Sequence, residues 1–372
     1  VVADCPEFFF LFWGAIKAGI IPVPLNTLLR ANDLAFIVRD SGCKSLIYSD
    51  EFLAEVSAAL AAPGQPAIDA RSIVKGENSL SQLARTASPV LKAVNIDADD
   101  DCVWLYSSGT TGEPIGMVHR HGDFAVTCRN YGVATLEARE DDVFFSVPRL
   151  YFSYGMGMAM TFPLWVGGTT VVDDRRPTPE TVTEVFRACN PTIYAAVPTF
   201  YAAHLASGLL SGMKHPGLRR CVSAGEPAPP ELLRRWADQT GVPIMEGLGS
   251  TEVLQMFVSN RMDDLRPGSI GKPVPGYQVQ LIDEDGHELS GDATGRLLVK
   301  GDSVIRRYWN NPDKTAAAFV GDWLNTGDVC YRDADGYYFY RGRADDLLKV
   351  GGRWVAPASL PPSSSRVGMD TS

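Results

Sequence analysis

The segment Tyr106 to His119, YSSGTTGEPIGMVH, gathers glycines and small hydroxyl residues into a loop that could wrap phosphate oxygens. Glycine lets the backbone turn its N–H groups toward one anion. Ser107, Ser108, Thr110 and Thr111 stand among Gly109 and Gly112 as further donors. The chemistry this predicts is nucleotide binding. The run from Gly109 to Met117 does not fit the G-x-x-x-x-G-K-[ST] spacing of a P-loop, so that kind of ATPase is not expected. The commoner meaning of one such segment is an ordinary turn between the strand Val103 to Tyr106 and a following helix.

The elements that would position this loop alternate. Glu7 to Ala18, Ala31 to Ser41 and Pro179 to Cys189 read as helices, with another from about Asp123. Ile20 to Pro24, Ser45 to Tyr48, Val143 to Val147, Thr169 to Val172, Ile193 to Ala196 and Arg220 to Ser223 read as extended, mostly buried runs. Such alternation predicts an α/β fold with mainly parallel sheet covered by helices. From Gly271 the pattern changes to period-two alternation, in Tyr277 to Ile282, Arg296 to Lys300 and Tyr337 to Tyr340, which predicts a β-rich section with hairpins.

The chain has 372 residues and a formal net charge of −10, and its Lys and Arg residues are dispersed, so nucleic acid is not an expected partner. Seven cysteines lie scattered without C-x-x-C spacing, which fits reduced thiols and a cytoplasmic location. The apolar run Phe8 to Leu25 is broken by Lys17, Pro22 and Pro24 before it could span a membrane, and no membrane partner is expected. The first residue is Val1, from which the chain is expected to begin inside a longer protein or after processing. Five histidines, His119, His121, His204, His215 and His287, show no paired ligand spacing and are expected to be core or solvent residues.

Five more segments accompany the loop: Ser223-Ala224-Gly225-Glu226-Pro227, Gly247-Leu248-Gly249-Ser250-Thr251-Glu252, Gly295 to Phe319, Trp323 to Asp328, and Gly342-Arg343-Ala344-Asp345-Asp346. In this order, with Tyr106 to His119, they resemble the motifs of the acyl-adenylate-forming superfamily, the acyl-CoA synthetases, luciferases and peptide-synthetase adenylation domains. The resemblance implies two stacked, mainly parallel sheet/helix subdomains and a smaller β-rich distorted barrel. Expected boundaries are 1–100, 101–270 with the ATP and acid site, 271–342 for the β-rich part, 343–357 as a hinge segment and 358–372 as a disordered tail.

The resemblance also implies roles. Ser107, Ser108, Gly109, Thr110, Thr111 and Gly112 would hold ATP phosphates. Gly225, Glu226 and Pro227 would line the adenine, and Asp328 and Arg343 would hold the ribose. Thr251 would bond the α-phosphate, Glu252 would help hold Mg²⁺, and Asp345 would be the hinge. Displacing pyrophosphate builds negative charge, so a hydroxyl donor and a carboxylate-held cation suit that place. Taken singly, Thr251-Glu252 could be a helix start, Thr326-Gly327-Asp328 a hairpin turn, and the segment after Ser223 a strand-to-helix turn. One departure stands out: the family signature has lysine where this chain has Ile115.

Within the superfamily the chain looks most like benzoate-type CoA ligases, from PEFFFLFWGAIKAGIIPVPLNTLL, from Phe152-Ser153-Tyr154-Gly155 with TFPLWVGGTT, and from EGLGSTEVLQMFVSN. Ser153 and Tyr154 would then line an aryl pocket, with Gly247 and Gly249 as a flat wall. Benzoate ligases usually have histidine at Gln255 and alanine at Ser153. Those changes add hydrogen-bonding capacity, which fits a hydroxy- or amino-substituted benzoate as well as benzoate, unless Ser153 only satisfies backbone groups. The expected activity is aryl-adenylate formation from ATP followed by thioester formation with coenzyme A. The alternatives are an adenylation domain that loads a carrier protein and a catalytically silent adenylate binder. After Lys349 to Gly352 and Val355 to Pro357 the family pattern dissolves, so a small C-terminal domain is expected to be missing and catalysis impaired. A homodimer is compatible with the sequence.

Overall fold

The computed structural model describes residues 1–76, 79–108, 112–212 and 217–346; for Ser108, 348–350 and 353–355 it describes the backbone alone. The tail expected over 358–372 lies outside the described residues. Helix Pro6–Lys17 starts on a proline, whose missing N–H has no partner to lose there, and it buries Phe8 and Phe12. Ile20 to Pro24 is not the strand the sequence predicts. Pro22 and Pro24 cannot donate to a ladder, and the Pro22 carbonyl instead accepts the Trp104 N–H at 3.2 Å. Helix Ala31–Ser41 closes on Gly42 at φ 60°. Strands β1 (Ser45–Tyr48) and β2 (Asp69–Ser72) pair in parallel, and Leu46 packs with Leu34, Ile37 and Val38 of that helix. Among the described residues, parallel pairing in the first hundred positions is confined to these two strands.

Strands β3 (Asp101–Ser108) and β4 (Pro114–Arg120) form an antiparallel hairpin with Ser107 opposite Ile115. The glycine-rich segment therefore joins two strands, and the helix the sequence places after it begins beyond β4, at His121.

The largest sheet among the described residues holds β5 (Val143–Ser146), β6 (Thr169–Val171), β7 (Ile193–Ala196), β8 (Arg220–Ser223) and β9 (Ile244–Gly249) in parallel. Antiparallel β10 (Met256–Ser259) and β11 (Lys272–Pro273) complete it, in the order β11-β10-β9-β8-β7-β5-β6. Strands covered on both faces must be apolar throughout, and β7, IYAA, is buried at every position. Tyr194 and Cys221 point to one face, against Phe186, Leu232 and Trp236 of helices Pro179–Cys189 and Pro230–Thr240. Their neighbours Ala195 and Val222 point to the other, against Tyr131, Leu136 and Phe162.

A second, antiparallel sheet contains β12 (Tyr277–Ile282), β13 (Glu288–Leu289), β14 (Ala293–Gly301), β15 (Phe319–Val320), β16 (Trp323–Arg332) and β17 (Tyr338–Arg343). Gly271 and Tyr338 stitch it to the first sheet: Tyr338 N–H donates to Gly271 O at 2.8 Å and Ile270 N–H to Tyr338 O at 2.9 Å. The α/β class with a separate antiparallel part is the one the sequence predicts. No helix among the described residues is long and apolar enough to cross a membrane.

Gly271 stands at φ 89°, and a Cβ there would lie 2.0 Å from the Ser259 carbonyl carbon. Gly286 has nearly the same φ, 86°, with open space around it. Gly271→Ala should therefore cost about 3 kcal/mol or more of unfolding free energy. Gly286→Ala should cost only about 1–2 kcal/mol. Urea melts of the two variants check the difference.

Candidate functional site

After β9 the chain makes one 3-10 turn, Thr251–Val253, and β10 returns antiparallel to β9. A helix start at Thr251-Glu252 goes no further than this turn, because Leu254 closes it at φ 69°, a conformation leucine rarely adopts. Other parts of the chain hold its three carbonyls. His119 Nε2 donates to Thr251 O at 2.7 Å, Ile305 N–H to Glu252 O at 2.8 Å, and Ser303 Oγ to Val253 O at 2.8 Å. Ser303 in turn accepts the Tyr277 hydroxyl at 2.7 Å.

The side chain of Glu252 meets the β-rich section. Tyr308 donates its hydroxyl to Glu252 Oε1 at 3.0 Å, and burial together with the Glu252 charge pushes the phenol far above its ordinary range. Asp328 reaches the same place through a bulge. Between Leu298↔Asn325 and Arg296↔Val329 the register of β14 and β16 slips, so Thr326, Gly327 and Asp328 leave the ladder. Gly327 stands at φ 74°, where a Cβ would lie 2.6 Å from Arg343 Nη2. Arg343 holds Asp328 Oδ1 at 2.9 Å and Thr326 O at 2.7 Å. Burial pushes the Asp328 carboxyl up, Arg343 pulls it down, and the charge of Glu252 adds to the rise. Glu252, Tyr308, Asp328 and Arg343 thus converge.

Strand β4 delivers Ile115 to this group, packed with Met117, Ile305 and Tyr308. The Ile115 side chain is apolar and belongs to the cluster that includes Tyr308, whose hydroxyl reaches Glu252. Ser107 is exposed at the end of β3, and Gly112 stands at φ 94°. Gly109, Thr110, Thr111 and the Ser108 side chain lie outside the described residues.

The segment after β8 is the expected strand-to-helix turn. Gly225 takes φ 90°, and Gly225, Glu226 and Pro227 are exposed ahead of helix Pro230–Thr240. Its anchor is Glu246, a residue the sequence reading passed over. The buried carboxylate accepts the N–H groups of Ala228 and Gly268, each at 3.3 Å, and burial pushes it up to about 7. An acidic residue inside the apolar strand IMEG was the available signal. Ser223 Oγ and Ser250 Oγ, at the ends of neighbouring segments, are buried without a hydrogen-bond partner among the described residues.

Ser153 and Tyr154 begin a helix that runs α, π, α through Ser153–Met156, Gly157–Thr161 and Phe162–Val166. Gly155 has no room for a side chain, since a Cβ would lie 2.1 Å from Arg149 O. Tyr154 shares its hydroxyl between Val222 O at 2.9 Å and Ala196 O at 3.3 Å, at the carboxyl ends of β8 and β7. Gln255 is buried, with Oε1 accepting Met256 N–H at 3.1 Å and Nε2 at 3.5 Å from Ser153 O. A Cβ on Gly157 would lie 1.9 Å from that Nε2. Gly247 and Gly249 have a packing reason of their own: added Cβ atoms would meet Met256 Sδ at 2.6 Å and Gln255 O at 2.9 Å. Asp345 is exposed in the 3-10 turn Ala344–Asp346 beyond Arg343. An apolar cavity of about 750 Å³, lined by Phe12, Ile37, Leu46 and Trp104 among others, includes none of these site residues.

Of the histidines, His119 and His204 are fully buried, His287 is exposed, and His215 lies outside the described residues. That His119 reaches Thr251, 132 positions away, was not legible from spacing.

The turn after β8, the turn after β9 and the Tyr154 hydroxyl thus lie at the carboxyl ends of parallel strands, where open α/β sheets bind their ligands. The chain belongs to the AMP-binding enzyme family, whose match spans residues 1–309. It is 44% identical to the benzoate–CoA ligase of Thauera aromatica over 362 residues, which are 96% of this chain and 68% of that protein. It is 42% identical to the 4-hydroxybenzoate–CoA/benzoate–CoA ligase of Rhodopseudomonas palustris, over 97% of this chain and 67% of that one. Among solved structures, an anthranilate CoA ligase in complex with anthranoyl-AMP superposes with a TM-score of 0.91 at 38% identity, covering 96% of this chain and 70% of that one. A benzoate CoA ligase from Burkholderia xenovorans gives 0.86 at 36% identity, over 94% and 70%.

Glu246 generates a pH prediction. Its folded value, about 7, lies above the ordinary 4.5, so between them the native state holds the proton more tightly than the unfolded chain. The stability it contributes is fully present below about 4.5 and is lost as pH rises through about 7. From pH 5 to pH 8, wild type should lose on the order of 2–3 kcal/mol relative to Glu246→Gln. Urea melts at both pH values check it; parallel pH profiles would rule it out.

Proposed function

We propose that this chain binds ATP and an aromatic carboxylic acid for an aryl-CoA ligase reaction in two half-steps. The aryl carboxylate attacks the α-phosphorus of ATP and pyrophosphate leaves. The thiol of coenzyme A then attacks the aryl-adenylate carbonyl and AMP departs. Supporting this reading are the family match and the relatives named above, the benzoate–CoA ligases and the ligase solved with anthranoyl-AMP. The observation that carries it is the braced turn Thr251–Val253, with Tyr308, Asp328 and Arg343 beside Glu252 on one side and Gln255 against Ser153 after it.

In this reading Thr251 offers its hydroxyl to the α-phosphate. Asp328, already oriented by Arg343, accepts the two ribose hydroxyls, for which a carboxylate has suitable lone pairs. Gly225, Glu226 and Pro227 lie along the adenine, and the buried hydroxyls of Ser223 and Ser250 are donors near the same path. Ser107 to Gly112 wrap the outer phosphates. Glu252 fits Mg²⁺, a hard cation held by one or two carboxylates plus phosphate oxygens; with Oε1 engaged by Tyr308, Oε2 is the oxygen to offer. When bound, Mg²⁺ neutralises phosphate charge. Holding acid and nucleotide together supplies most of the protein's own contribution.

Tyr154, Gly247 and Gly249 border a flat slot for the ring, and Ser153 and Gln255 supply its polar end. The candidate acids are benzoate and the hydroxy- or aminobenzoates. One observation favours a second reading, an adenylate binder with weak catalysis: Ile115 puts a hydrocarbon where the family signature has a cation.

Aryl-acid-dependent ATP–pyrophosphate exchange separates the two. Measured on this chain alone and joined to a family C-terminal domain, exchange with benzoate, 2-aminobenzoate and the hydroxybenzoates supports the ligase. No exchange with any of these acids in either form would sink it. Ile115→Lys should tighten ATP about tenfold while leaving AMP unchanged, because the new cation meets only the outer phosphates. Calorimetry with both nucleotides checks this, and equal gains for the two would refute that placement.

A further inference from the structure

We propose that His119 is a positioning residue for the nucleotide phosphate, setting Thr251 through the Thr251 carbonyl and tying that turn to the hairpin of the glycine-rich segment. The inference rests on the reading above, in which the Thr251 hydroxyl meets the α-phosphate. His119 lies near the end of β4, opposite Val103, so its backbone is fixed by the same ladder that places Ile115 at the strand's other end. The ring is 0% exposed. A carbonyl can only accept, so Nε2 carries the proton that it gives to Thr251 O at 2.7 Å.

The other nitrogen, Nδ1, donates to Asp123 Oδ2 at 3.1 Å, since a carboxylate likewise only accepts. Asp123 is itself fixed, since Oδ2 accepts the Arg120 N–H at 3.0 Å and Oδ1 pairs with Arg120 Nη2 at 2.8 Å. The imidazole therefore has one orientation, set on one side by an anchored carboxylate and directed on the other at the turn. The ring ends on the backbone of the proposed phosphate-binding residue, three positions before a leucine held at φ 69°. Misplacing a contacting group by about 1 Å can cost on the order of a hundredfold in rate, so such a tether belongs to the chemistry.

Glutamine and asparagine separate the two halves of the ring. In His119→Gln the side-chain amide nitrogen reaches where Nε2 stands, and in His119→Asn it reaches only where Nδ1 stands. Calorimetry of AMP and of adenosine with wild type, His119→Gln and His119→Asn isolates the phosphate, since the two ligands differ only there. His119→Asn should lose about tenfold in AMP affinity with adenosine unchanged, and His119→Gln should retain AMP affinity within about threefold. Urea midpoints report whether each variant is folded. If His119→Asn does not fold, Asp123→Asn carries the test, with an AMP-selective loss of about threefold or more expected.

The inference is overturned if His119→Asn, or Asp123→Asn in its place, binds AMP like wild type. It is also overturned if both ligands weaken equally, or if His119→Gln falls as far as His119→Asn. Wild type binding neither ligand would overturn the functional reading and this inference together, whereas normal AMP preference in wild type with an unaffected variant overturns the inference alone.

Discussion

Three consecutive carbonyls, those of Thr251, Glu252 and Val253, are held by a histidine from the β3–β4 hairpin and by a backbone N–H and a serine from the segment after β14. A single 3-10 turn has almost no stability of its own, because nucleating helical geometry fixes several dihedrals for one hydrogen bond. Its shape is therefore imposed from outside. The parallel sheet brings the turn to its carboxyl end, the hairpin fixes one face, and the antiparallel section fixes the other. Disturbing any of these three bodies changes where Thr251 and Glu252 point, which makes the turn the common reference for the candidate site.

The antiparallel section does more than cover the sheet. Its bulge at Thr326 to Asp328 and the cross-strand position of Arg343 bring a carboxylate and a guanidinium toward Glu252, and Tyr308 completes the group from the segment between β14 and β15. Two carboxylates near each other are electrostatically unfavourable, and Arg343 and the Tyr308 hydroxyl offset that repulsion. On β9, Glu246 ties the segment after β8 to Gly268 by accepting the N–H groups of Ala228 and Gly268.

Much of the fold could be read from the chain. Ser45–Tyr48, Ile193–Ala196, Arg220–Ser223, Tyr277–Ile282, Ala31–Ser41 and Pro179–Cys189 are found at the bounds their patterns gave, because apolar or alternating strand runs and amphipathic helices leave strong local signals. Ile20 to Pro24 failed because an apolar run says nothing about donors that proline lacks. The glycine-rich segment led to a hairpin where a helix was the commoner expectation, since the partner strand Pro114–Arg120 carries no turn signal after it. At the site, motif order pointed to Thr251, Glu252, Asp328 and Arg343, but His119, Tyr308 and Glu246 act through contacts between distant positions. No local spacing encodes them.

That hairpin has an electrostatic consequence. A phosphate loop that leads into a helix borrows the aligned peptide dipoles of several turns, worth roughly half a positive charge at the N-terminus. In a β-hairpin the strand dipoles oppose one another and nearly cancel. Under the proposed function, phosphate near the ends of β3 and β4 would meet no macrodipole from these strands, and attraction there would come from discrete donors and from counter-ions. The run Ser107 to Gly116 holds the carboxylate of Glu113 and no lysine or arginine, so in the proposed reading attraction for a polyphosphate there rests on backbone and hydroxyl donors and on the cations that accompany the nucleotide.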